Sequence, residues 1–241
     1  MQCFSRLFTW LVLNPSVNPL VPPAGIEPAH PPPEGGALSP ELRGRTSLIY
    51  QRVASLGMWH QNRQMMESAY FATGCFWGAE RRFWQWDGVV STSVGYMGGT
   101  RPQPNYEQVC TCVTGHAEIV SLTFDTAVIS YRRLLEEFWT MHDPTTLNSQ
   151  GNDIGTQYRS AIFTTTPEQM TMALRSMEIY QAEIIKSGCG PIVTHVLSAS
   201  GVTFWPAEDY HQRYLEKNPN GYDCHSSTGI PFPQASVGIN D

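Results

Sequence analysis

Between Gly74 and Gly78 the chain places Cys75, Phe76 and Trp77, a thiol followed by two aromatic rings. Residues 69–73 before this run form a short apolar stretch of strand character, and residues 79–86 after it have helical spacing. Cys75 is therefore predicted at a strand-to-helix junction, in the first turn of the helix. The first N–H groups of a helix have no intrahelical partner, and the positive end of its dipole lies there. Such a setting favours the thiolate, the nucleophilic form of cysteine. Flanking glycines let a substrate approach the backbone closely. A nucleophilic sulfur beside two aromatic faces suits a small, soft, partly apolar group better than a phosphate or a sugar. The bland alternative is a buried cysteine acting as a small hydrophobe; the Gly-Cys-Phe-Trp-Gly setting argues against it.

The rest of the chain must position this thiol. Residues 89–96 alternate as a strand and end in Gly98-Gly99, and residues 117–124 read as a second strand ending at Asp125. Residues 130–141 carry Leu134, Leu135, Phe138 and Met141 at helical spacing and stop at Asp143-Pro144. Residues 160–165 read as a third strand. Thr166-Pro167-Glu168 supplies an N-cap, a first-turn proline and an acidic residue, so a helix is predicted over 167–186, ending at Gly188. A fourth strand is expected over 194–199 and a last helix over 207–217, stopped by Asn218-Pro219. Strands and helices in mixed order imply an α+β fold, a two-layer α/β sandwich with a ferredoxin-like mixed sheet. From about residue 218 onward Gly, Pro and Ser without periodicity predict a long C-terminal coil wrapped over the domain.

Residues 1–57 form a Pro/Gly-rich extension, expected to be disordered, before a domain spanning 58–241. Its first thirteen residues hold a short apolar run without a small-residue cleavage site. Export or organellar targeting through this extension is one reading; a true start at Met58, Met65 or Met66 is another. The chain has 241 residues, a net charge of −6 and a sequence pI near 5.6, enough for one domain with a real core. The acidic balance argues against nucleic acid or an anionic membrane as partner, and no apolar run has the length of a membrane span. Six cysteines without a Cys-x-x-Cys pair point to a reducing, cytoplasmic setting with a few working thiols.

The run Thr73-Gly74-Cys75-Phe76-Trp77-Gly78-Ala79-Glu80 resembles the signature of the peptide methionine sulfoxide reductase A family. The resemblance continues in family order through Val94-Gly95-Tyr96-Met97-Gly98-Gly99, Pro104-Asn105-Tyr106 and Thr114-Gly115-His116-Ala117-Glu118. His142-Asp143-Pro144, Gln150-Gly151-Asn152-Asp153 and Gly155-Thr156-Gln157-Tyr158-Arg159-Ser160 follow, then Ala207-Glu208-Asp209-Tyr210-His211-Gln212 and Lys217-Asn218-Pro219-Asn220-Gly221-Tyr222. It covers about residues 68–233.

Thiol-dependent sulfoxide reduction needs a nucleophile, an acid for the departing oxygen, a pocket for the S-methyl group and a second thiol. The resemblance implies that Cys75 is the nucleophile and becomes a sulfenic acid. It implies that Glu118 is the acid, a role that needs an apolar site to raise its pKa. Tyr106 and Tyr158 are implied hydrogen-bond donors to the sulfoxide oxygen; core packing is their bland alternative. Asp153, in a turn-like run, either caps that turn or, as in the family, orients substrate through water. Phe76 and Trp77 form the methyl pocket, the apolar face of the helix, or both. Cys224 is the resolving thiol, giving a Cys75–Cys224 disulfide that thioredoxin reduces. The implied enzyme is a monomer that acts on methionine-S-sulfoxide, free or in oxidised proteins, without a metal or bound organic cofactor. The chain departs from a common family pattern in three places. No cysteine follows Cys224, Asp223 is inserted before it, and Ser149 stands where many members carry a basic residue.

Two rival classes remain. A Cys-His-Glu acyl-transfer hydrolase needs a histidine beside Cys75, which the sequence does not identify. A non-catalytic binder of oxidised methionine has no use for Cys224. Cys110, Cys112 and Cys189 lack the ligand spacing of a zinc knuckle. Among the histidines, His211 is the one expected to brace the site.

Overall fold

A computed structural model describes residues 66–223 and 226–233. Its sheet has six strands: β1 (Met66–Thr73), β2 (Val89–Met97), β3 (Ala117–Asp125), β6 (Ser160–Thr164), β7 (His195–Ser198) and β8 (Trp205–Pro206). They lie in the order β7-β6-β1-β3-β2-β8. All neighbours are antiparallel except β6 and β7, which run parallel. A separate two-residue hairpin joins β4 (Ser149–Gln150) to β5 (Asp153–Ile154). The helices are α1 (Phe76–Trp84), α2 (Tyr106–Cys110), α3 (Tyr131–Met141), α4 (Pro167–Lys186) and α5 (Tyr214–Lys217). This is the mixed α+β arrangement expected.

Alternation decides which face each strand buries. Phe71 of β1 and Val120, Leu122 and Phe124 of β3 face α1, α3 and α4, where they meet Phe83, Leu134, Leu135, Phe138 and Tyr180 in the largest apolar cluster. Ala72, Ile119 and Phe163 point to the other face, covered by Val202 and Phe204 of the β7–β8 connection. Thr166 caps α4 by accepting from the N–H of Gln169, with Pro167 in the first turn, as the sequence predicts. Ser130 caps α3 in the same way.

The main departure is the predicted helix over 207–217, of which only Tyr214–Lys217 is helical. The side chains of Glu208, His211 and Gln212 are committed elsewhere, and Arg213 adopts φ 54°, outside the right-handed helical region. Past residue 217, the described residues hold no helix or strand. There the Tyr180 hydroxyl donates to the Ile230 carbonyl at 2.7 Å, and Phe232 stacks on Tyr180. The extension over 1–57 and Cys224 lie outside the described residues.

Candidate active site

Cys75 is the N-cap of α1 rather than a first-turn residue, and it is 7% exposed. Its own side chain makes no capping hydrogen bond to the helix. Instead the N–H of Phe76 donates to a carboxylate oxygen of Glu118 at 3.0 Å. Sheet pleat explains the meeting: Glu118 shares the helix-facing side of β3 with Val120 and Leu122, at the end of the strand that lies under α1. Glu118 is 2% exposed. Burial pushes its carboxyl up, the Phe76 N–H pulls it partly back and the charge of Asp153 adds to the rise, leaving it at about 8. The site therefore sets a carboxyl that holds its proton at neutral pH one residue from a buried thiol.

Gly74 makes this corner. It has φ +96°, and a Cβ there would lie 2.6 Å from Cγ of Gln150. Gln150 is buried under the corner, accepting from the N–H of Asp143 at 3.0 Å and donating to its carbonyl at 2.6 Å. The β4–β5 hairpin that carries Gln150 also presents Asp153, so the turn-like run is a true two-residue turn. One oxygen of Asp153 accepts from the hydroxyl of Tyr222 at 3.1 Å; the other is buried with no hydrogen-bond partner among the described residues.

Tyr106 begins α2, which Asn105 and Gln108 close with a reciprocal capping box. The Cys110 thiol, one helical turn on, lies near the Tyr106 hydroxyl. Burial raises the Tyr106 phenol first, followed by the neighbouring Cys110 and the Glu118 and Cys75 charges. Tyr158 lies in a single 3₁₀ turn (Thr156–Tyr158). Its phenol is raised by burial, then by Glu118, Tyr106 and Asp153. The two phenols, Glu118 and Asp153 thus share one electrostatic neighbourhood, and both phenols stay protonated donors.

Phe76 is buried, with its ring against Tyr96 and His211. Trp77 is more open: its indole stacks on Tyr214 at 3.8 Å between centroids and donates from Nε1 to Nδ1 of His211 at 3.0 Å. The turn that carries His211 is tied down by side-chain bonds. Glu208 accepts from the N–H of Tyr106 at 2.8 Å and the hydroxyl of Tyr96 at 3.0 Å. Gln212 accepts from the N–H of Val94 at 2.9 Å and donates to its carbonyl at 2.9 Å. Glu80, fully buried on α1, accepts from the N–H of Arg213 at 2.8 Å.

The model of the family described as peptide methionine sulfoxide reductase matches residues 67–233. The chain belongs to this family. The peptide methionine sulfoxide reductase MsrA of Pseudomonas putida is 54% identical over 173 residues, 72% of this chain and 77% of that protein. The MsrA of Streptomyces griseus is 53% identical over 168 residues, 70% of this chain and 76% of that protein. Among solved structures, methionine sulfoxide reductase A of Corynebacterium diphtheriae superposes with a TM-score of 0.63 at 43% identity, covering 69% of this chain and 83% of that one. Like its relatives, the chain is an oxidoreductase acting on methionine sulfoxide.

Of the residues singled out for reductase chemistry, Cys75, Phe76, Trp77, Tyr106, Glu118, Asp153 and Tyr158 converge on one end of the sheet. Cys224 lies outside the described residues, but the residues before it do not. The hydroxyl of Tyr222 sits on Asp153, and Asp223 pairs with Arg81 of α1. His211 meets Trp77, as a brace would, from a turn and not from a helix. The sequence reading missed the roles of Glu208, Glu80, Gln212 and Gln150. All four lie within the runs that carry the resemblance, Glu80 in the first, Gln150 opening Gln150–Asp153, and Glu208 and Gln212 in Ala207–Gln212, so the signal was present without a chemical reason attached. Among the described residues, no group of three or more His, Cys, Asp and Glu side chains could hold a metal. No described helix is long and apolar enough to cross a membrane.

Proposed function

We propose that this reductase acts on methionine-S-sulfoxide, free or in oxidised proteins, through a Cys75 sulfenic acid. The Cys75 thiolate attacks the sulfoxide sulfur and forms a sulfur–sulfur bond; that bond and the sulfur–oxygen bond then break as the oxygen passes to Cys75. Glu118 supplies the proton that lets the oxygen depart from the substrate, while the Tyr106 and Tyr158 hydroxyls donate hydrogen bonds to it. Methionine leaves, and Cys75 holds the oxygen as a sulfenic acid. Trp77, with Phe76 behind it, receives the S-methyl group, and Asp153 orients the substrate through water.

In the second half of the cycle the Cys224 thiolate attacks the sulfenic sulfur, water leaves and a Cys75–Cys224 disulfide forms. Thioredoxin, a dithiol reductant, returns both cysteines to thiols. Sulfoxide and two thiols thus become sulfide, disulfide and water, so the cycle needs no metal or bound organic cofactor. Residues 58–241 constitute the working domain, and the cell uses it for repair of oxidised methionine in the cytoplasm.

The observation that carries this reading is the carboxyl of Glu118, buried beside Cys75 and poised at about 8, which makes it a proton donor at neutral pH. A hydrolase would need a histidine there instead, and His211 has its Nδ1 engaged by Trp77. The decisive experiment is single-turnover release of methionine from each sulfoxide epimer, followed by steady-state turnover with dithiothreitol and with thioredoxin. One methionine per enzyme from the S epimer alone supports the reading. Equal rates with both epimers, or release without oxidation of Cys75, would sink it.

A further inference from the structure

We infer that Glu208 is a positioning residue that sets two walls of the site at once, Tyr106 directly and Trp77 through His211. This rests on the reading above, in which the Tyr106 hydroxyl and the Trp77 ring meet the substrate.

The first limb is a backbone bond. Tyr106 opens α2, and its N–H is one that the helix cannot satisfy itself. Asn105 caps Gln108 instead, leaving the N–H of Tyr106 to Glu208, at 2.8 Å. Glu208 is 102 residues away in sequence, so α2 owes its seat to a side chain of the distant turn.

The second limb runs through a tautomer. An indole N–H only donates, so Nδ1 of His211 must be the unprotonated nitrogen, and Nε2 carries the hydrogen. That Nε2 is buried and has no hydrogen-bond partner among the described residues. The group it faces is Glu208, whose second oxygen lies 3.8 Å away and also accepts from Tyr96. A carboxylate opposite Nε2–H favours the one tautomer whose Nδ1 can hold Trp77. Burial holds His211 below its ordinary pKa, against the opposing pull of the Glu208 charge, and so favours the neutral ring with Nδ1 available. The His211 ring also stands against those of Phe76 and Tyr106, at 5.0 and 4.8 Å between centroids. Rotation of this imidazole would therefore disturb both walls.

Glu208→Gln separates the limbs. The amide oxygen can still accept from Tyr106, but its NH2 then faces Nε2–H, donor against donor. His211→Phe keeps a ring in place and removes the acceptor for Trp77. We expect each to raise KM for methionine sulfoxide about threefold to tenfold, the value of one hydrogen bond, with kcat within about twofold. The double variant should be no worse than either single one, because both break the same relay. The Trp77 indole N–H resonance, assigned with Trp77→Phe, should shift in both single variants. Glu208→Ala should add a loss in kcat of about tenfold through Tyr106. If Glu208→Ala does not fold, the cycle between Glu208→Gln and His211→Phe still decides. Multiplying KM effects, an unmoved Trp77 resonance in Glu208→Gln, or an unchanged KM would each overturn the inference. Trp77→Phe with an unchanged KM would instead break the pocket reading on which it rests.

Discussion

The two ends of the helix-facing layer are built differently. Beneath α3 and α4, Phe71, Leu122, Leu134, Phe138 and Trp139 are carbon packed on carbon, fully buried or nearly so. Polar atoms there are few, and one of them, the Trp139 indole, donates to Ser176 at 2.8 Å. At the site end, carboxylates and amides bind backbone: Glu118 holds Phe76, Glu208 holds Tyr106, Glu80 holds Arg213 and Gln212 holds Val94. There side chains replace the ladders that strands and helices supply elsewhere. The first region sets how stable the domain is, and the second sets where its reactive groups point.

The sharpest contrast should come from the thiols. Cys75→Ser should abolish reduction with any reductant and leave the melting temperature within a few degrees, since a hydroxyl is a far weaker nucleophile in the same volume. Residual turnover above about a hundredth of wild type exceeds what loss of a nucleophile allows and would remove that role. Cys224→Ser should still release about one methionine per enzyme, stall with thioredoxin and recover with dithiothreitol, which reaches a sulfenic acid directly. A disulfide joining Cys75 to Cys110, Cys112 or Cys189 in the oxidised wild type, seen by mass spectrometry, would break the tail's part in the cycle.

Glu118→Gln should slow single-turnover methionine release by about a hundredfold or more, the usual contribution of a positioned acid. Its pH dependence carries the same signature. A carboxyl held at about 8 is protonated below that pH and loses its proton above it, so the wild-type rate should fall as pH rises through 8. The glutamine variant should lack that falling limb. Stability follows the same linkage: the native state holds this proton where the unfolded chain does not, so stability is lost as pH rises from about 4.5 toward 8. Glu118→Gln should therefore gain more in melting temperature at pH 9 than at pH 5. Equal gains at both would mean that the buried charge is not what the site stores.

Phe138→Ala tests the opposite region. Phe138 is 0% exposed, and its loss should cost about 3–5 kcal/mol in denaturant unfolding. At temperatures where the variant remains folded, kcat should be unchanged; a tenfold fall would show that the two ends are not separable. The smallest effect is expected from starting the chain at Met58, which should leave turnover and solubility as they are. An insoluble or inactive product would show that the extension packs on the domain.

Legibility in the sequence divides along the same line. The strands at residues 69–73 and 117–124 and the helices at 130–141 and 167–186 follow from period and caps, because burial on one face imposes both. The reductase motifs pointed to Cys75, Glu118, Tyr106, Tyr158 and Asp153 through a run of spaced matches. What could not be read was the 207–213 segment, which has helical composition and no helix. Its Glu208 and Gln212 accept from the backbone of Tyr106 and Val94, each more than 100 residues away, and no local pattern encodes such a partner. β4, β5 and β8, two residues each, are too short for any period to mark.

The corner at Gly74 also restricts what this lineage can become. Its φ of +96° and the Gln150 side chain 2.6 Å from any added Cβ act independently. Trimming Gln150 would relieve the crowding yet leave the backbone in a region that side chains avoid, and would release the Asp143 loop that Gln150 holds. Relaxing the backbone would move the residue that follows, which is Cys75. Every single-step substitution at position 74 therefore passes through an impaired enzyme, and a compensating change at one neighbour cannot repair it.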